Sequence, residues 1–207
     1  NQIPAALQTR MLIEIGQLVE RSTMWFLKTG DRPLDLAGTI AEYAPGIERI
    51  EAGLGEIVPP DRAKQLKAQI VALTKEGVPE ELARRVTGLD ILLSACDLVR
   101  VANAHGYDVE AVARIYFDLG ARFGMHWLRR AARGLEPENT WQEQAIGAIV
   151  DDVFGHQLAL TLKVLEGENG ADGDGAIEDW YRRRTATAQQ TEAMLGELRD
   201  TEAVDLS

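Results

Sequence analysis

The sequence holds a single cysteine, Cys96. One thiol cannot build a disulfide framework, and it cannot build a thiolate metal cage. Cys96 lies in the apolar run Ile91-Leu92-Leu93-Ser94-Ala95-Cys96, which reads as a buried structural thiol rather than a nucleophile. Positive charge is also scarce: 22 Lys and Arg stand against 33 Asp and Glu, a formal net charge of -11. That balance argues against nucleic acid as a partner, because phosphate binding needs clustered Lys and Arg. It argues equally against docking on an anionic membrane surface. The densest basic run, Arg182-Arg183-Arg184, sits among Glu178, Asp179 and Glu192 and reads as a solvated helix face. The sequence shows no signal peptide, and no apolar run approaches the roughly 18 residues of a membrane span. A cytoplasmic, reducing setting is the expectation.

Catalytic and cofactor motifs are missing too. Neither Gly-x-Gly-x-x-Gly nor a phosphate-cradling Gly-x-x-x-x-Gly-Lys occurs, and no Gly-x-Ser-x-Gly places a nucleophile. A di-iron bundle would carry Glu three residues before its histidines. Ala102, Phe123 and Val153 stand three before His105, His126 and His156. Asp152 and His156 are four apart, but two ligands do not make a metal site. Asp172-Gly173-Asp174-Gly175-Ala176-Ile177 imitates the middle of a calcium loop. Aligned on it, Gly170 and Tyr181 would fall where carboxylates are required, so the stretch reads as a linker. No catalytic, cofactor-binding or metal residue is therefore expected. Trp25, Trp127 and Trp141 lie on or beside apolar stripes and read as core anchors.

What is present is helical periodicity almost throughout, with no β-branched alternation and no hairpin signal. The 207 residues suffice for one domain with a full core, or for a bundle plus an appendage. Leu7, Met11, Ile15, Leu18, Ser22 and Trp25 step by three and four along a first helix that Gly30 and Pro33 end. Pro33-Leu34-Asp35 starts a second helix with Leu36, Ile40 and Tyr43, expected to break at Pro45-Gly46, before a short segment with Ile47, Ile50 and Leu54. Pro59-Pro60-Asp61 opens a third, carrying Ala63, Leu66, Ile70 and Leu73 and stopping at Gly77. Gly77-Val78-Pro79-Glu80-Glu81 is a further helix start, with Glu80–Arg84 and Glu81–Arg85 pairs in support. A longer helix is expected from about Leu89 to Ala104, ended by Gly106. Asp108 is a candidate N-cap for the stripe Val109, Val112, Ala113, Tyr116, Phe117, Gly120. Gly124 marks a joint before Trp127-Leu128.

Thr140-Trp141-Gln142-Glu143 has the form of a capping box. It opens a long helix with Ile146, Ile149, Val150, Val153, Gln157, Leu160, Thr161 and Val164 on one face. Gly167, Gly170, Gly173 and Gly175 make the one low-complexity stretch, a flexible linker. A last helix, about Ala176 to Arg199, carries a thin stripe of Ile177, Tyr181, Ala188, Leu195 and Leu198. The expected fold is an all-α, multi-helix bundle over residues 1–166, a linker over 167–175 and a peripheral C-terminal arm over 176–207. Ile15, Leu18, Trp25, Ile70, Leu92, Val112, Tyr116, Phe117, Trp127, Ile149 and Val153 are the expected core.

Four segments together resemble one family: Arg21-Ser22-Thr23-Met24-Trp25-Phe26-Leu27, Gly77-Val78-Pro79-Glu80-Glu81-Leu82-Ala83, the run from Val112 through Tyr116-Phe117 to Trp127-Leu128, and Thr140-Trp141. The chain resembles the C-terminal helical region of the large bacterial NAD-specific glutamate dehydrogenases, from about Thr9 to Leu165. The resemblance implies a parent enzyme that oxidises L-glutamate to 2-oxoglutarate and ammonium with NAD. The family's substrate lysines and Rossmann glycines lie upstream, so no catalytic residue carries over to this sequence. It implies an architectural, regulatory or oligomerisation role, with the upstream catalytic part of the same chain as partner and a homo-oligomeric parent. The Asn1 start, in place of Met, fits a piece of a longer protein. A free-standing helical protein-interaction module is the alternative reading.

Overall fold

The computed structural model describes residues 5–28, 35–92 and 94–167, together with Trp180, Arg182, Gln189, Gln190, Ala193, Met194 and Glu197. Among the described residues there are eight helices and no strand, so the all-α expectation holds. They are α1 (Ala5–Lys28), α2 (Leu36–Ile57), α3 (Pro60–Lys75), α4 (Glu80–Leu92), α5 (Ala95–His105), α6 (Val109–Arg122), α7 (Met125–Arg133) and α8 (Thr140–Gly167). The chain divides into two compact units, Asn1–Ala113 and Arg114–Ser207.

Local chemistry sets most of the boundaries. Asp35 caps α2 by accepting from the Gly38 N–H at 3.0 Å. Asp108 caps α6 in the same way: its Oδ2 accepts from the N–H groups of Glu110 and Ala111, each at 3.1 Å. These bonds satisfy amides that the first helical turn leaves without partners. Gly106 ends α5 at φ 69°, a left-handed conformation that costs glycine little and other residues more. Gly124, at φ 61°, makes the joint between α6 and α7. Pro60 opens α3, where a missing N–H does no harm.

Three expectations need correction. Helix α2 does not break at Pro45-Gly46; it runs through both to Ile57. A mid-helix proline loses one hydrogen bond and costs about 3 kcal/mol, so packing must hold the helix together. Gly46 shows how: a Cβ there would meet Val99 Cγ2 of α5 at 2.6 Å, so only glycine permits this approach. Second, the helix expected from Leu89 to Ala104 is two helices. Chain α4–α5 turns at Ser94, whose N–H donates to Ile91 O at 3.1 Å. Third, α8 is capped one residue earlier than expected. Asn139 Oδ1 accepts from the Gln142 N–H at 3.0 Å, and Gln142 Oε1 accepts from the Glu138 N–H at 2.6 Å.

In the first unit α4 packs against α1, α2, α3 and α5. Leu7 of α1 is buried with Val78, Ala83 and Val86, and Met11, Ile70, Leu73 and Leu82 close around them. Ile50, Leu54 and Ile57 of α2 and Leu98 and Val99 of α5 are also buried in this unit. In the second unit α7 packs against α8. Tyr116, Ile115 and Leu119 of α6 and Gln157, Thr161, Val164 and Leu165 of α8 are fully buried.

The expected core is met at Val112, Tyr116 and Phe117, which are buried, while Ile70, Leu92, Trp127 and Val153 are half-buried. Ile15 and Ile149 are exposed, and Trp141 is 81% exposed rather than a core anchor. The buried face of α8 is Val150, Phe154, Gln157, Thr161, Val164 and Leu165, rotated from the expected stripe so that Phe154 replaces Ile149. Leu18 and Trp25 lie outside the described side chains. The expected linker, after Gly167, and most of the C-terminal arm lie outside the described residues. In the arm, Trp180 is buried and Met194 exposed.

Candidate functional site

The polar side chains of the second unit converge on one place. Glycine at position 120 brings α6 close to α7 and α8: a Cβ there would meet Gln157 Nε2 at 2.4 Å and His126 Nε2 at 2.6 Å. Gln157 is fully buried, and its Nε2 donates to the Tyr116 carbonyl at 2.7 Å. Its Oε1 is buried with no hydrogen-bond partner among the described residues. Arg129 Nη1 donates to the Tyr116 hydroxyl at 3.2 Å, and Nη2 donates to His126 Nδ1 at 2.5 Å. A guanidinium can only donate, so His126 Nδ1 is the acceptor of a neutral imidazole. The Arg129 guanidinium also lies 5.7 Å from the centre of the Phe154 ring, within cation–π range. Thr161 Oγ1 donates to the Gln157 carbonyl at 2.9 Å. These bonds tie α6, α7 and α8 together. No motif in the sequence signals the cluster, because its members meet only in three dimensions.

A second polar cluster lies on the surface of the first unit. Arg49 Nη2 reaches Asp108 Oδ1 at 2.7 Å, and Arg49 Nε donates to Glu110 Oε1 at 3.0 Å. The hydrogen bond that Arg49 donates to Asp108 raises the Arg49 pKa further above its ordinary value. Partial burial pushes the Asp108 carboxyl up, but Arg49 and the N–H groups of Ala111 and Glu110 outweigh it and hold it below the usual range. The geometry is that of a brace across a helix cap. Arg85 makes a similar link to Glu81 at 3.1 Å, the pair expected from the sequence, and to Glu51 at 3.5 Å.

Cys96 lies on α5 and His156 on α8. Cys96 is half-buried; burial pushes its thiol up, and the charge of Asp97 adds to that. Such a thiol carries little thiolate and is a poor nucleophile. His156 Nδ1 bonds the Asp152 backbone carbonyl at 2.7 Å, which uses the ring within its own helix. Among the described residues no three His, Cys, Asp or Glu side chains gather as metal ligands. A Rossmann seat for NAD needs a strand entering a helix through a Gly-rich turn. The described residues, with no strand, do not fit that group.

Comparison with known proteins supplies the family. The family model described as "Glutamate dehydrogenase, C-terminal" matches residues 1–207. A protein of Pseudomonas aeruginosa named NAD-specific glutamate dehydrogenase is 30% identical over 205 residues, 99% of this chain and 13% of its own length. A protein of the same name from Halomonas elongata is 30% identical over 202 residues, 96% of this chain and 12% of its own length. One from Mycobacterium tuberculosis is 28% identical over 207 residues, again 99% of this chain and 13% of its own length. The chain thus spans about an eighth of each relative. With its polar groups engaged in caps, braces and a buried helix tie, it belongs to the glutamate dehydrogenase C-terminal family.

Proposed function

We propose that this chain is a non-catalytic, architectural domain of a longer NAD-specific glutamate dehydrogenase. The parent converts L-glutamate to 2-oxoglutarate and ammonium, with NAD as hydride acceptor. The domain's partner is the upstream catalytic part of the same polypeptide, in a homo-oligomeric, cytoplasmic enzyme; neither nucleic acid nor membrane is a partner. The observation that carries this reading is the match of nearly the whole chain to only 12–13% of each relative. It is supported by chemistry: hydride transfer needs a nicotinamide seated beside an activated substrate amine, and the candidate polar clusters here serve helix packing.

Helix α8 bears on the membrane question. By length and composition it could cross a bilayer, with a mean hydropathy of 1.2 over its most apolar window. It carries Asp151 and Asp152 near its middle, and a carboxylate at the bilayer centre costs about 2.5–3.5 kcal/mol. Its buried face packs on its own unit through Phe154 and Gln157. With 22% of that window buried, the two aspartates weigh against a span more than the packing does.

The test is NADH formation from glutamate and NAD by the pure 207-residue chain. No turnover above background is expected. Turnover that tracks the purified chain would contradict the proposal.

A further inference from the structure

Helix α1 carries far more apolar surface than its own unit covers. Leu7 is buried and Met11 half-buried against α4. Farther round the helix, Leu12 is 73% and Val19 59% exposed, and Ile13 and Ile15 are exposed as well. At 3.6 residues per turn, Ala5, Gln8, Thr9, Leu12, Ile15, Gly16, Val19 and Thr23 fall on one side; none of them is charged, and Gln8, Thr9 and Thr23 are its polar members. Together with the Leu7–Met11 edge, the uncharged arc covers roughly two thirds of the circumference, wider than the stripe of a helix with one solvated face. A helix apolar over most of its girth is ordinarily covered on both sides.

We infer that the Leu12–Ile15–Val19 face of α1 is the docking surface for the segment of the native polypeptide that precedes residue 1. The inference rests on the reading of the chain as part of a longer dehydrogenase. Two observations select this occupant. In the relatives, about seven eighths of the polypeptide lies outside the matched region, and the family description puts that region at the C-terminal end. The preceding chain therefore arrives at α1, the first helix. The face is also free of charge in a chain of net charge -11, so it suits an apolar protein surface and offers nothing to a polyanion or a phosphate.

The experiment compares thiol labelling at one position in two proteins. Val19→Cys is made in the 207-residue chain and in the native-length polypeptide, and maleimide incorporation at residue 19 is followed by peptide mass spectrometry. The thiol is expected to react at least about tenfold more slowly in the native-length polypeptide, where only local opening would expose it. The 207-residue chain is expected to be monomeric and to label fast. Equal rates in the two proteins would overturn the docking while leaving the architectural reading standing. Slow labelling in a 207-residue chain found to be dimeric would also overturn it, because a second copy would then cover the face. A native polypeptide that proves to be no longer than 207 residues would remove the underlying reading itself. Leu12→Glu with Val19→Glu gives an independent readout. It should leave the unfolding midpoint of the 207-residue chain unchanged and make the native-length polypeptide cleavable within α1 by protease. Resistance to cleavage would count against the docking.

Discussion

Helices α1 and α6 have similar sequences in one respect and opposite fates. Both are uncharged around roughly two thirds of their circumference. Helix α6 is enclosed: Val109, Ala111, Val112, Ala113, Ile115, Tyr116, Phe117 and Leu119 are all buried. Only a narrow strip through Glu110, Arg114, Asp118 and Ala121 reaches toward solvent, and there Arg122 pairs with Asp118 at 3.0 Å. Among the described side chains of helix α1, Leu7 and Met11 are the covered ones. The width of an apolar arc reports how much of a helix is meant to be covered, and the structure of one chain reports how much that chain covers. Where the two agree, as in α6, the helix belongs to its own core. Where they disagree, as in α1, the excess marks an interface.

Substitutions sharpen that contrast. Phe117→Ala on α6 should give the largest effect, about 3–5 kcal/mol off the unfolding free energy of the 207-residue chain, as expected for a buried aromatic. An unchanged denaturation midpoint would show the stripe of α6 to be dispensable. Gly120→Ala should follow at about 1–3 kcal/mol, because the new methyl collides with Gln157 and His126 in a packed interior. A stabilised variant, as at an ordinary helical glycine, would mean that α6, α7 and α8 are not in close approach.

Asp108→Ala should cost about 1 kcal/mol through loss of the α6 cap. Its carboxyl is held below its ordinary value when folded, so its contribution is present above the unfolded value of about 3.9 and is lost as pH falls through the lower folded value. Acid titration of wild type and variant should therefore converge only at low pH; a difference that grows on acidification would reverse the assigned sign. Leu12→Ala on α1 should be the smallest, within about 0.5 kcal/mol in the 207-residue chain, as for an exposed site. A loss near that of Phe117→Ala would place Leu12 in this chain's own core and end the contrast between the two helices.

The sequence made α6 legible and α1 misleading for the same reason. Periodicity shows that Val112, Tyr116 and Phe117 share a stripe, and it shows the same for Leu7, Met11 and Ile15. It cannot show whether a second layer is present to cover each stripe. Boundaries governed by neighbouring atoms, at Asp35, Gly106, Asp108 and Gly124, were readable. Boundaries governed by remote atoms were not: Pro45-Gly46 reads as a break, yet the fit of Gly46 against Val99 belongs to a helix that runs through it. Trp141 reads as a core anchor by residue type, but its register on α8 points away from Phe154 and Gln157. The tie among Tyr116, His126, Arg129 and Gln157 leaves no linear trace, since its members lie on three helices.

Hydrogen exchange at the backbone amides of α1, read beside those of α6, tests the central claim most directly. Amides of α6 should exchange slowly both in the 207-residue chain and in the native-length polypeptide, because that helix opens only with its core. Amides of α1 from Leu12 to Val19 should exchange much faster than those of α6 in the 207-residue chain and become as slow as α6 in the native-length polypeptide. Exchange in α1 that stays equally fast in both proteins would contradict the account.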